Sequence, residues 1–245
     1  MKTFRNLLQF SLLSFVVGCC TGGSIPLKPE PTKQELPNHT LANDRQKTVE
    51  YLLHSTAALV ENVGSFVVTN CAGVWISKTL ILTANHCVDE HPPNFQYIVP
   101  GDLADKKSRE ALLLAADKKV DLALLMANPE DLPEHNVVKL SEDPIVTGDP
   151  MHVVGHTAGY PWTYSYGFVS AIRDGMFGPS AFDTKVVQIS APVWMGNSGG
   201  GAFDANGQLV GICSWISKNG PHLTFFIHRD IIKSFLRQES FKKTP

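Results

Sequence analysis

From Ala57 onward the apolar residues come in short runs separated by turn formers, a texture that predicts β-strands. The first set is Ser65-Phe66-Val67-Val68, Val74-Trp75-Ile76, Leu80-Ile81-Leu82-Thr83 and Gln96-Tyr97-Ile98-Val99, punctuated by Gly73, Pro92, Pro93 and Gly101. A second set follows Pro150: Met151-His152-Val153-Val154, Tyr166-Gly167-Phe168-Val169, Val186-Val187-Gln188-Ile189, Leu209-Val210-Gly211-Ile212 and Leu223-Thr224-Phe225-Phe226. Many short strands at fairly regular spacing indicate a sandwich or a barrel. The Pro-, Gly- and Asp-rich stretch 141–150 is the expected boundary between two halves, about 56–140 and 150–228. The period changes to helical at the two ends. Val49, Leu52 and Leu53 make one apolar stripe in a predicted helix from Asn43 to Leu53, with Asn43 as cap and Gln46 at the capping-box position. Ile231, Ile232, Phe235 and Leu236 predict a closing helix over 229–238.

The N-terminus reads as a targeting segment. Lys2 and Arg5 precede an apolar run, Leu7 to Val17, that is short of the roughly 20 residues needed to span a bilayer. The run ends Val16-Val17-Gly18-Cys19, which resembles the bacterial lipoprotein box. That resemblance implies cleavage after residue 18 and lipidation of Cys19, against the alternative of an ordinary secretory leader. Cys20 stands where an aspartate would signal inner-membrane retention, which points to the outer membrane. The stretch 19–42 carries Pro26, Pro29, Pro31 and Pro37 among polar residues and reads as an extended tether.

Composition changes this picture little. With 245 residues, 43% of them hydrophobic, the chain can bury a sizeable core, and a net charge of −2 gives no basic surface for nucleic acid. Export places the mature chain where disulfides persist. Cys71 and Cys87 are then a candidate pair, worth about 3 kcal/mol, with two independent buried thiols as the alternative. Cys213 sits in an apolar strand pattern and reads as a small buried residue.

Three segments carry chemistry. Met195-Gly196-Asn197-Ser198-Gly199-Gly200-Gly201 surrounds a serine with glycines, which tolerate a tight turn that aims backbone N–H groups into a cavity. Such donors beside a hydroxyl are the parts needed to hold an oxyanion during attack on a carbonyl. Thr83-Ala84-Asn85-His86-Cys87 ends an apolar strand with a histidine, alone more often structural than catalytic. Asp121 heads the apolar run Leu122-Ala123-Leu124-Leu125, and a carboxylate buried there needs a donor. A histidine N–H satisfies it and fixes the other ring nitrogen as an acceptor for a serine proton.

In order, these segments resemble the three signature segments of the chymotrypsin-like serine endopeptidases, whose chain order is His, Asp, Ser. The resemblance runs from about residue 64 to the closing helix and implies two six-stranded Greek-key β-barrels, an all-β fold with a short helix at each end. It implies that His86 is the general base, Asp121 its orienting carboxylate and Ser198 the nucleophile, with the N–H groups of Gly196 and Ser198 as the oxyanion hole. It also implies the Cys71–Cys87 disulfide, a cleft wall from Ser214-Trp215-Ile216, and contact of Ser214 with the buried aspartate. No metal or organic cofactor is expected, and a protein or peptide is the expected substrate. Asn197 replaces the aspartate that pairs with a new N-terminus in the digestive and clotting enzymes, so that switch should be absent. Gly196–Gly200, Val154-Gly155-His156-Thr157-Ala158-Gly159 and the closing helix are more similar to bacterial HtrA-type proteases, with no PDZ module expected after Pro245.

Six residues before Ser198, where trypsin-like enzymes place a carboxylate, stands Pro192; with Met195 and the wall Ser214, Trp215 and Ile216 this predicts a small or medium apolar residue before the scissile bond. His152 and His156 are spaced as an H-x-x-x-H, but on a strand and turn they need not share a face, and no zinc is expected. The cluster Tyr160-Pro161-Trp162-Tyr164-Tyr166 is expected in packing or at a cleft edge. The rival readings are an esterase and a catalytically silent or partner-activated binding lipoprotein on the same fold.

Overall fold

The computed structural model describes residues 39–63, 66–89, 94–102, 107–175, 184–217 and 223–242. The leader 1–18, Cys19, Cys20 and the tether as far as residue 38 lie outside the described residues. Two closed antiparallel barrels of six strands follow one another in the chain. The first is built from β1 (Thr56–Val63), β2 (Phe66–Trp75), β3 (Leu80–Thr83), β4 (Asn94–Ile98), β5 (Arg109–Asp117) and β6 (Leu122–Ala127), in the spatial order β1-β2-β3-β6-β5-β4. Pairing of Ala58 with Ile98 closes it. The second contains β7 (Pro150–Gly155), β8 (Thr163–Arg173), β9 (Val186–Ile189), β10 (Gly201–Phe203), β11 (Leu209–Ile216) and β12 (Thr224–His228), ordered β10-β11-β12-β9-β8-β7. Pairing of Gly201 with Val154 closes that one. This is the two-barrel architecture the resemblance implied.

Helix α1 runs His39–His54, so it starts four residues ahead of the expected cap and places Asn43 inside the helix. No Gly or Pro stands between Pro37 and Asn43 to delay it. Helix α2, Arg229–Lys242, likewise outruns the expected end at 238, because Gln238 to Lys242 contains no breaker. β1, β5 and β10 are not among the strands named from the sequence pattern. β5 holds Leu112-Leu113-Leu114-Ala115-Ala116, residues with high helix propensity, and is a strand because it fills the gap between β4 and β6. β10 is only three residues long and follows directly on the glycine-rich turn.

Period-two alternation decides which core each side chain enters. In β2, Trp75 points into the first barrel while Val74 joins the apolar layer between the barrels. Ile81 and Leu82 of β3 divide the same way, as do Leu125 and Leu124 of β6. In the second barrel, Val153, Cys213 and Phe226 face its interior, and Val154, Ile212 and Ile227 face the shared layer. These strands are buried on both faces, which is why they read as continuous apolar runs. Both helices cover the shared layer: Leu52 of α1, and Ile232 and Phe235 of α2, are buried in it. The connecting segment is stitched to both halves by Val138 N–H to the Trp75 carbonyl (3.0 Å) and Ser141 N–H to the Leu209 carbonyl (2.9 Å).

Truncation of Leu52, fully buried under α1, should therefore loosen the layer that holds the two barrels together. We expect Leu52→Ala to lower unfolding stability by about 3 kcal/mol, read from urea denaturation as a lower midpoint with an unchanged slope.

Candidate active site

His86 lies in a 3₁₀ turn, Asn85–Cys87, immediately after β3. The turn is anchored covalently: Cys87 is disulfide-bonded to Cys71 of β2, with Cα atoms 6.0 Å apart. Asp121 sits at the start of β6 and is 1% exposed, with φ of +54°. A left-handed backbone is uncommon outside glycine, and Asp is among the residues that tolerate it. This bend aims the carboxylate back along β3 toward His86. Asp121 Oδ1 accepts the His86 backbone N–H at 2.9 Å, and His86 Nδ1 lies 3.1 and 2.9 Å from the two carboxylate oxygens. With Asp121 ionised, Nδ1 carries the ring proton and donates it, leaving Nε2 as a lone-pair acceptor. The Ser214 hydroxyl, from β11 of the second barrel, donates to Asp121 Oδ2.

Ser198 belongs to the turn between Trp194 and β10, and that turn is held by backbone bonds from several sides. Its carbonyl accepts the Ala72 N–H of β2 at 2.7 Å; Gly199 N–H reaches the Cys213 carbonyl and Cys213 N–H the Gly200 carbonyl, both at 2.8 Å. The Ala72 carbonyl in turn accepts the Thr83 hydroxyl at 2.7 Å, three residues before His86. The serine turn is therefore bonded to Ala72, beside the strand that delivers His86, and to Cys213, beside the Ser214 that holds Asp121. Gly199 has φ of +79°, and its Cα lies so close to the Ala72 carbonyl and Thr83 hydroxyl that a Cβ would overlap them. Only glycine fits there.

Next to this turn is a cavity of about 290 Å³ lined by Thr163 and Ser165 of β8, Pro192, Trp194, Ile216 and Thr224 among others. Of the residues expected to contact substrate, Pro192 and Ile216 line it. Met195, Ser214 and Trp215 are not part of its lining. Met195 is exposed, Ser214 is turned to Asp121, and the Trp215 ring stacks on Phe225 at 5.0 Å. The contributions of β8 and β12 were not legible in the sequence, because threonine and serine in an alternating strand carry no sign of which face meets the cleft. No charged side chain lines the cavity among the described residues.

The two histidines of the H-x-x-x-H go to separate partners. His152 Nδ1 pairs with the Tyr164 hydroxyl at 2.9 Å, whereas His156 is fully buried and spends both ring nitrogens on backbone groups. Trp162 of the aromatic cluster packs by the first barrel and donates its indole N–H to the Thr56 carbonyl at 2.9 Å. Among the described residues the one group spaced like a metal site is Cys71, His86 and Cys87, and its two thiols are consumed by the disulfide. Cys213 is free and buried, with its thiol pushed above its ordinary range by burial.

A buried carboxylate bonded to a more exposed imidazole on one six-stranded barrel, with a glycine-bracketed serine on a second, marks the chymotrypsin-like class. The trypsin-like peptidase domain matches residues 71–212, more than half of the chain, and the chain belongs to that family. A probable periplasmic serine endoprotease, DegP-like, of Hahella chejuensis is 34% identical over 171 residues, covering 68% of this chain and 34% of that protein. The chain thus spans about a third of the length of the curated relatives it matches. A protease of M. tuberculosis in its active form superposes with a TM-score of 0.68 at 22% identity, over 85% of this chain and 92% of that one. The HtrA-type protease AlgW, solved with a tripeptide, gives 0.66 at 26% identity, over 78% and 62%.

Burial makes the site region sensitive to acid. Desolvation lowers the pKa of His156 from 6.5 to about 4, opposed by its bond to Ala57. His228 is also lowered to about 4, by burial first and then by the Lys185 charge, with Asp230 opposing. Both are lower folded than unfolded, so their contribution is complete above pH 6.5 and is lost as pH falls toward about 4. We expect unfolding free energy to fall through that window by about 1.4 kcal/mol per pH unit for each histidine. Urea titrations at several pH values check this, and His156→Gln should remove one histidine's share of the slope.

Proposed function

We propose that this chain is an exported serine endopeptidase that hydrolyses peptide bonds through an acyl-enzyme on Ser198. The observation that carries the reading is the His86 imidazole bonded through Nδ1 to Asp121, which also accepts the Ser214 hydroxyl, together with a serine turn bonded to β2 and β11. In acylation the Ser198 hydroxyl attacks the substrate carbonyl carbon and gives its proton to His86 Nε2. The oxyanion is received by the N–H groups of Gly196 and Ser198. The imidazolium, steadied by the Asp121 carboxylate, returns the proton to the departing amine as the C–N bond breaks. Water then repeats the sequence on the ester, releasing a carboxylic acid and restoring the serine.

The cavity of about 290 Å³, bounded by Pro192, Val193, Ile216 and Leu223, supports a small or medium apolar residue before the scissile bond. A tripeptide in the AlgW structure supports a peptide substrate here, and the periplasmic relative supports the bacterial envelope as location. We place the protein there on a lipid at Cys19, on the periplasmic face of the outer membrane, following the lipoprotein box and the absence of aspartate after it.

A fluorophosphonate probe should label the full chain, and Ser198→Ala should abolish labelling and lower peptide hydrolysis by roughly 10⁴-fold or more. A peptide library should return Val, Ala, Leu or similar residues before the cut; a profile dominated by Lys, Arg or Glu would reject the pocket assignment.

A further inference from the structure

We propose that His156 is the positioning residue of the oxyanion loop, a buried strut between the two barrels that sets the direction of the Gly196 N–H. This rests on the reading of Ser198 as the acylated residue and Gly196 as an oxyanion donor. It begins from an imidazole with no access to solvent, in the segment between β7 and β8. Its Nδ1 accepts the Trp162 N–H at 2.9 Å, so the ring proton is on Nε2, which donates to the Ala57 carbonyl of β1 at 3.2 Å. One side chain thereby closes the 156–162 loop on itself and pins it to the other barrel. Trp162 adds a parallel tie through its indole N–H to Thr56, and Thr69 of β2 donates its hydroxyl to the Gly159 carbonyl at 3.0 Å.

The pinned loop is the backing of the oxyanion turn. Ala158 N–H donates to the Met195 carbonyl at 2.7 Å, and the Thr157 hydroxyl accepts Asn197 Nδ2 at 2.6 Å. The His156 carbonyl accepts Gly159 N–H at 2.9 Å and lies so close to the Gly196 Cα that a side chain there would collide with it. A trans peptide is planar, and its C=O and N–H point in opposite directions. Fixing the Met195 carbonyl on Ala158 therefore turns the Gly196 N–H to the opposite side. The alternative orientation would exchange these directions: the Met195 carbonyl would occupy the donor's place and Ala158 N–H would lose its acceptor. Asn197 N–H bonds the Trp194 carbonyl at 3.2 Å, and Gly196 has φ of +96°, the pattern of a type II turn with the glycine at its third position. Ala158 itself holds φ of +54°, a conformation costly for a residue with a Cβ, which persists where surrounding contacts over-determine it. The groups that over-determine it are those His156 anchors.

The test is steady-state hydrolysis of an apolar peptide substrate by the full chain, with active sites counted by fluorophosphonate titration. Wild type, His156→Ala, His156→Gln, His156→Asn and a Ser198→Ala blank are compared. We expect His156→Ala to lower kcat per titrated site by about 100-fold with KM within about threefold, the signature of a lost oxyanion donor. His156→Gln, whose amide reaches Ala57, should recover most of kcat. His156→Asn, which keeps an acceptor for Trp162 and loses the reach to Ala57, should fall between, and it carries the test if His156→Ala does not fold. A kcat per titrated site within about threefold of wild type in both His156→Ala and His156→Asn would overturn the inference, and so would a loss confined to the number of titrated sites. Wild type that neither labels nor cleaves would instead reject the proposed activity. Wild type that cleaves, with His156 variants unaffected, rejects only the strut.

Discussion

A single negative charge placed at the junction of the two barrels organises this molecule. Asp121 is 1% exposed, and a carboxylate removed from water to that degree is tolerated only with donors on its oxygens. Those donors come from both halves: the backbone N–H and ring of His86 from the first barrel, and the Ser214 hydroxyl from the second. Separating the barrels would remove the Ser214 donor and leave those of His86, so this carboxylate ties β11 of the second barrel to the first. The same bonds fix the tautomer and orientation of His86. Structural and chemical demands on Asp121 are thus one demand, and its left-handed backbone is the local cost of meeting it.

The donors that satisfy that charge are held in place by the apolar packing behind them. The strands that meet there bury both faces, alternating between their own barrel and the shared layer, and the two helices close the layer at its margins. Each residue of the site stands at or near the end of one of these doubly buried strands: His86 after β3, Asp121 before β6, Ser214 within β11 and Ser198 before β10. Backbone bonds from Ala72 and Cys213 then carry the rigidity of the sheets into the serine turn. A loop alone would not fix the direction of a side chain; loops stapled to strands at both sides can.

The legible part of the fold was the part in which side-chain chemistry and backbone period agree. Val153-Val154, Ile81-Leu82 and Phe226-Ile227 are apolar pairs whose two members face two cores, and such runs announce a doubly buried strand. β5 concealed itself because Leu and Ala also suit a helix, and only its pairing with β4 and β6 makes it a strand. The candidate residues His86, Asp121 and Ser198 stand out in the sequence because each is anomalous where it stands: a ring at a strand end, a charge in an apolar run, a hydroxyl between glycines. His156, Thr157 and Ala158 left no such mark. Their bonds run to the Ala57 and Met195 carbonyls and to the Asn197 side-chain amide, and a backbone carbonyl has no signature in a sequence. The aromatic cluster told only that something packs there, not that Trp162 ties the second barrel to Thr56.

Asn197 sits in surroundings that ask for no buried cation. In the digestive and clotting enzymes the corresponding position is a carboxylate, which requires a buried cation, and a newly made N-terminus supplies it. Here a neutral amide, 2% exposed, donates through Nδ2 to the Thr157 hydroxyl at 2.6 Å and to the Trp194 carbonyl at 3.0 Å. Gly155 makes room for it, since a Cβ at that residue would overlap the amide oxygen. A buried ammonium would meet no negative charge at this amide, and its desolvation would go uncompensated. The turn that carries Ser198 is bonded through this amide to the segment between β7 and β8, in addition to its bonds to Ala72 and Cys213. The turn thus has three supports, β2 through Ala72, β11 through Cys213 and the segment that begins at His156, and each spreads its load into a different part of the two sheets.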